Sequence, residues 1–273
     1  MKFKRRRLIG LLVLGVLSLL TWVVWTVCRT GMAPTTLYSG AALLSLVIFL
    51  ALFNARKKIP FLPLFRASTW MQWHIYLGFF SVLLFLLHVD FRIPSGLLEI
   101  VLAIVFVIVA VSGVFGLMLS RSLPRRMNQA GDPVPYEQIP RIRKEIRDSV
   151  KDLIVHSEET CDSSTLSEFY REHLREFIEA RPSVFHSFGM EKKRTSYQLT
   201  NELEARMRYL SESEIEVASE LESWIGKKEN IDFQEASQRL LKGWLFLHIP
   251  FSVSLILLGV AHGIFALLFG GNA

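Results

Sequence analysis

Four of the seven histidines in this 273-residue chain lie in apolar stretches, and they form two pairs with one spacing. His74 and His88 bound "HIYLGFFSVLLFLLH", and His248 and His262 bound "HIPFSVSLILLGVAH"; each pair is 14 residues apart. Fourteen helical steps leave an offset of only about 40°, so the members of a pair share one helix face. They rise about 21 Å along the axis, inside a hydrocarbon core about 30 Å thick, so one imidazole of each pair sits towards each membrane surface. An imidazole is costly to bury in lipid without a partner. Two opposed neutral imidazoles are a suitable axial pair for a haem iron, and a macrocycle would fill the space between their helices with apolar bulk. Two other readings stay open: a proton or metal-ion pathway, and histidines satisfied by packing. A transport path more often recruits buried Asp or Glu as well. Here Asp90 and Glu99 sit at the outer boundary, with no carboxylate in mid-span.

The elements that must position these residues are apolar runs near Leu8–Cys28, Leu37–Phe53, Trp70–Val89, Leu97–Leu119 and the charge-free stretch after Lys242. Each is about as long as a membrane-crossing helix, near 20 residues, and each is apolar around most of its circumference. The expectation is an all-α protein: a five-helix transmembrane bundle, with residues 1–119 supplying four spans, 120–242 a helical cytoplasmic insertion, and 243–273 the fifth. The second span is the weakest by composition, since it is short and holds Ser39, Gly40 and Ser45. "MKFKRRR" resembles the start of a signal peptide, but the apolar run after it is about twice the usual signal core. It ends in "TWVVWTVCRT" with no small-residue cleavage site, so an uncleaved anchor is expected.

Charge sets the orientation. Lys2, Lys4, Arg5, Arg6 and Arg7 precede the first span, Arg56, Lys57, Lys58 and Arg66 follow the second, and Arg121, Arg125 and Arg126 follow the fourth. The opposite loops hold Arg29 and Arg92. The positive-inside rule therefore places the N-terminus in the cytoplasm and the C-terminus outside, in a plasma or inner membrane. With that topology the third and fifth spans are parallel. His74 comes level with His248 near the cytoplasmic surface, and His88 with His262 near the outer one.

The net charge of +6 carries no nucleic-acid signature. Residues 120–242 contain 20 Lys/Arg against 23 Asp/Glu, a net of −3, and the rest of the chain carries +9. The excess is juxtamembrane, where it reports topology and attracts anionic lipid. Cys28 and Cys161 fall on opposite sides of the membrane in this topology, so they are expected as unpaired thiols.

In the insertion, "SRSLPRRMNQAGDPVPYEQIP" has four prolines and reads as a linker. Helical spacing follows in Ile142, Ile146, Val150, Leu153 and Ile154, then in Leu166, Phe169, Tyr170, Leu174, Phe177 and Ile178 after a Ser cap. A further helical stretch breaks near "SESE". An amphipathic helix then starts near Asp232 and runs straight into the fifth span. No GxGxxG, P-loop, CxxC or HExxH motif occurs in the chain, so no flavin, nucleotide, iron–sulfur or zinc site is visible. His156, His173 and His186 lie in this polar region and read as solvated or capping residues.

Around the four intramembrane histidines, Gly78, Gly259 and Gly263 could admit a macrocycle close to a helix, or serve ordinary helix packing. Arg66 lies near the cytoplasmic pair with Trp70, Trp73 and Trp244, and Arg92 lies four residues after His88. The arginines are candidates for haem propionates, whereas the tryptophans read first as interfacial anchors. Pro250 marks either a kink or the start of regular helix.

The two His-x13-His segments resemble those of the di-haem b-type transmembrane cytochromes, and most of all the ferric reductase and NADPH oxidase transmembrane domain. "SGVFGLMLSRSLPRR" is similar to ferric-reductase-like bacterial membrane proteins. The resemblance covers Trp70–Ser120 and Trp244–Gly270. It implies two haem b groups held by His74, His88, His248 and His262, and one-electron transfer across the membrane. The polar insertion and the count of five spans rather than six depart from the family pattern, and no dehydrogenase domain is visible in these residues. The implied role is an electron-transfer subunit of an oxidoreductase, served by a redox partner protein or a quinone. An oligomer is compatible with this reading. Alternatives from other classes are a non-redox membrane scaffold whose cytoplasmic domain binds a partner, and a proton or metal-ion permease.

Overall fold

The computed structural model of the chain describes residues 2–31, 34–55, 67–129, 132–161, 164–183 and 192–269. Among these residues the regular structure is entirely helical. The elements are α1 (Lys2–Thr30), α2 (Thr35–Ala55), α3 (Ala67–His88), α4 (Leu97–Gln129), α5 (Ile139–Cys161), α6 (Thr165–Phe169), α7 (Arg175–Glu179), α8 (Lys192–Met207) and α9 (Glu212–Phe269). Five of the described helices, α1 to α4 and α9, are long and apolar enough to cross a membrane, as an integral membrane protein requires. The least apolar is α3, with a mean hydropathy of 1.5 against 1.9 for α2. The shortest span is that of α2, 18 residues, as the sequence suggested, while α3 carries Gln72, His74 and His88.

The chain divides into two compact units: Met1–Leu117 with Trp244–Ala273, and Met118–Gly243. In the first, α3 packs along α2 and more lightly on α1. Leu84, Leu87, Phe106 and Leu255 form its buried interior, and Phe85 stacks on Phe106 with centroids 4.3 Å apart. Much of the remaining surface is apolar and exposed, including Leu12, Leu19, Val27 and Leu268, as a lipid-facing surface must be. After α3, Asp90 and Phe91 take left-handed φ values of 51° and 55°. That conformation is costly for residues with a Cβ. It is held by Phe91 N–H donating to the Leu86 carbonyl, by Arg29 paired with Asp90 at 2.9 Å, and by Phe91 set edge-on to Trp22.

The second unit is a helical domain around Ile146, Val150, Leu166, Phe169, Leu174, Ile178, Leu203, Leu221 and Ile225. These are the apolar positions at helical spacing, buried because several amphipathic helices turn their stripes to one centre. Ser164 occupies the N-cap position of α6, yet its side chain makes no capping bond; its carbonyl accepts from Glu168 N–H and Ser167 Oγ instead. Between α6 and α7 the chain makes a π turn at Tyr170–Leu174, which keeps the register of the apolar face.

Two sequence expectations are corrected here. Residues 120–129 are helical, not linker: α4 continues through Pro124 to Gln129. Leu119 and Leu123 are buried one turn apart, and Arg126 lies over the Phe233 ring, so packing outweighs the hydrogen bond that proline removes. The extended part is shorter, and it is tied down by α9: Gln234 accepts from Val134 N–H and donates to the Asp132 carbonyl, and Gln238 donates to the Val134 carbonyl. The second correction concerns α9, which starts at Glu212, well before Asp232, and continues unbroken past Pro250 to Phe269. The expected break falls between α8 and α9, at residues 208–211.

A buried ionic cluster explains the early start of α9. Lys228 and Asp232 are fully buried one turn apart and paired at 2.5 Å; Asp232 also takes Arg143 of α5 at 2.7 Å, and Arg143 takes Glu235 at 2.5 Å. Lys228 and Arg143 both donate to the Ala180 carbonyl, capping the chain as it leaves α7. The cluster needs α9 to be helical across 228–235, so the helix cannot begin at Asp232.

Candidate functional site

The four histidines come together as two couples. His88 and His262 face each other with ring centroids 6.2 Å apart and planes at 81°. His74 and His248 lie close enough for direct charge interaction. In this unit α3 and the last part of α9 therefore run in the same direction. Beside them, α3 lies directly on α2. Halfway between the couples, seven residues beyond His74 and His248, Ser81 and Leu255 are buried, so packed side chains separate the two levels.

The protonation of one ring can be read from its partner. His88 Nδ1 lies 3.0 Å from the Thr36 carbonyl, which can only accept, so Nδ1 carries the proton and Nε2 keeps its lone pair. Ser39 Oγ, 3.4 Å from the same nitrogen, already donates to the Thr35 carbonyl. His248 Nδ1 lies 2.7 Å from Ser112 Oγ. Ser112 Oγ also reaches the Val109 carbonyl at 2.9 Å, so the hydroxyl can donate there while it meets Nδ1. His74 engages the backbone of Leu50 on α2. Three of the four rings thus have a partner on a neighbouring helix, His74 and His88 on α2 and His248 on α4.

Small residues let the neighbouring helices approach these rings. A Cβ at Gly40 would stand 2.7 Å from His88 Cε1, so α2 lies directly against that imidazole edge. The features that weakened the second span on paper, Ser39 and Gly40, are those that receive His88. On α4, Gly113 faces His248 and Gly116 faces the Trp244 indole, which any Cβ at 116 would overlap. Trp244 donates Nε1–H to the Ser112 carbonyl at 2.8 Å and stacks on His248, centroids 5.3 Å apart and planes 23° apart. It packs on a site residue, where the sequence reading favoured an interfacial anchor. Of the glycines expected beside a macrocycle, Gly259 and Gly263 meet Leu44 of α2, and Gly78 faces open space on the His74 face of α3.

Arg92 is exposed and pairs with Asp90 at 3.6 Å, while Arg66 lies outside the described residues, as does His186. Glu99, at the start of α4, lies within electrostatic reach of His88. His156 is exposed, and His173 contacts Glu202 at 3.2 Å in the helical domain. Cys28 is a free thiol. Among the described residues no group of three or more His, Cys, Asp or Glu gathers in metal-binding geometry.

Ser112, Thr36, Gly40 and Gly116 were not singled out as site residues from the sequence. The available signal was the clustering of small polar and glycine residues, Ser39-Gly40 and Ser112-Gly113-x-x-Gly116, within otherwise apolar spans. No family model, curated protein or solved structure matches this chain.

Proposed function

We propose that the protein conducts electrons across a membrane through two b-type haems, one between His74 and His248 and one between His88 and His262. The observation that carries this reading is the His88–His262 couple. At a centroid separation of 6.2 Å, both rings would be near enough to hold one metal ion between them, given metal–nitrogen bonds of about 2.0–2.1 Å. At the same time His88 Nδ1 is spent on the Thr36 carbonyl, which leaves Nε2 for the metal. Open space at Gly78, one turn beyond His74, would leave room for a flat prosthetic group beside that ring.

A bound haem iron supplies one-electron redox chemistry that needs no acid or base from the protein. The chain's own residues hold the rings in one tautomer, exclude water with Leu84, Leu87, Phe106 and Leu255, and keep two ligand couples apart by packed side chains. In this reading the N-terminus and residues 120–242 are cytoplasmic, following the basic clusters, and the helical domain docks a redox partner or braces the bundle. A soluble protein or a membrane quinone delivers or removes electrons at either surface.

Purified protein, expressed with adequate haem supply, should give a pyridine haemochrome signal equal to two haems per chain and a split α-band after reduction. Absence of any haem signal would sink the proposal. His74→Ala combined with His248→Ala should remove one spectral component and spare the other; loss of both, or of neither, counts against the level-by-level pairing.

A further inference from the structure

We infer that Ser112 is the positioning residue for the ligand ring of His248, and that α4 serves as the receptor that sets this ring. The inference rests on the reading of His248 as an iron ligand. Three independent contacts converge on one turn of α4. Ser112 Oγ lies 2.7 Å from His248 Nδ1 and 2.9 Å from the Val109 carbonyl; with Nε2 on a metal, Nδ1 carries the proton, and the hydroxyl accepts it while donating to Val109. The Ser112 carbonyl accepts from Trp244 Nε1–H at 2.8 Å, and the indole stacks on the imidazole at 5.3 Å. The bare backbone at Gly116 makes room for the indole, and Gly113 leaves the Cε1 edge of His248 in van der Waals range.

Trp244 and His248 are one turn apart on α9, so they share a face and reach α4 together. A serine in an apolar span has no need of this geometry. Bonding back to its own helix would satisfy it fully. Here the back-bond has a second consequence, because it leaves the hydroxyl oxygen able to accept from Nδ1–H when Nε2 binds a metal. The outer couple solves the same problem differently: His88 Nδ1 donates to a backbone carbonyl that no side-chain substitution can remove. Ser112 is therefore the point at which the hydrogen bond behind a ligand ring can be removed by replacing the side chain that makes it. A hydrogen bond accepted from Nδ1–H makes the ring a stronger donor to a metal and stabilises the oxidised state.

The test compares Ser112→Ala, which removes the acceptor, with Ser112→Thr, which keeps a hydroxyl. Full-length protein is reconstituted, and the spectral component lost in the His74→Ala, His248→Ala protein is followed by redox titration and by haem release to a scavenger. Ser112→Ala should shift that component's midpoint potential in the positive direction and weaken its haem retention by about 10–100-fold. The other component should not move, and Ser112→Thr should restore both values. An unchanged potential and release rate in Ser112→Ala overturns the inference while leaving the proposed function intact. So does equal loss of both components, which indicates a packing role, and so does a Ser112→Thr protein that behaves like the alanine variant. Wild-type protein without haem removes the proposed function and this inference together.

Discussion

The two units bury polar side chains in opposite ways. In the helical domain, the buried ionic cluster is closed: Lys228, Asp232, Arg143 and Glu235 pair with one another and with the Ala180 carbonyl. In the unit built from α1 to α4 and the end of α9, the polar groups between helices are half-buried imidazoles with serine and backbone partners, and the set is open. His88 gives Nδ1–H to the Thr36 carbonyl, keeps the Nε2 lone pair and lies beside His262, while His248 meets Ser112. A closed cluster can only hold a structure together. An open one has capacity left for a ligand. The contrast separates a domain whose polar core is structural from a span whose polar core is equipped for chemistry.

Removing one member of each cluster tests that contrast most directly. Asp232→Ala leaves Lys228 and Arg143 buried without their shared counter-ion and should cost about 3–5 kcal/mol of stability. Thermal unfolding and limited proteolysis should show the helical domain weakened, and haem content per folded chain should stay at the wild-type value. A stable Asp232→Ala protein would break the comparison by showing that the ionic cluster is dispensable. Gly40→Ala acts on the other side of it. The new Cβ would press on His88 Cε1, so the ring must leave the Thr36 carbonyl. The outer component should lose haem retention by about 10-fold, the scale of a lost second partner, with little change in unfolding. If unfolding shifts as much as in Asp232→Ala, the imidazoles are structural after all. The smallest effect belongs to Asp90→Asn, which removes an ion pair whose Arg29 side chain is 53% exposed. Exposed pairs contribute about 0.2–1 kcal/mol, so only a slight loss of thermal stability is expected and neither spectral component should shift.

Much of this was legible along the chain. Five apolar runs of spanning length, two histidine pairs with equal spacing, and basic clusters that alternate with them follow from local composition and helical periodicity. The apolar stripes of α5 to α7 were equally plain, and Ile146, Val150, Leu166, Phe169 and Ile178 are buried as the spacing requires. The partners of the histidines were not legible. Ser112 and His248 are 136 positions apart, and Thr36 and His88 are 52 apart. Nothing local distinguishes a serine that orients an imidazole from one that bonds only to its own helix.

Proline and charge misled for a related reason. Pro124 and the charged run "GKKENIDF" carry local penalties against continuous helix. Burial of Leu119 and Leu123, and pairing of Lys228 with Asp232 and of Asp232 with Arg143, outweigh those penalties only once distant segments have docked. The chain alone therefore determined which segments are helical and apolar enough to span a membrane, and that four imidazoles lie on two helix faces at two depths. The tertiary structure alone decided which rings meet, which nitrogen of His88 keeps its lone pair, and which buried charges neutralise one another. Periodicity is a property of neighbours in sequence; a hydrogen bond between helices depends on which segments the fold brings within 3 Å.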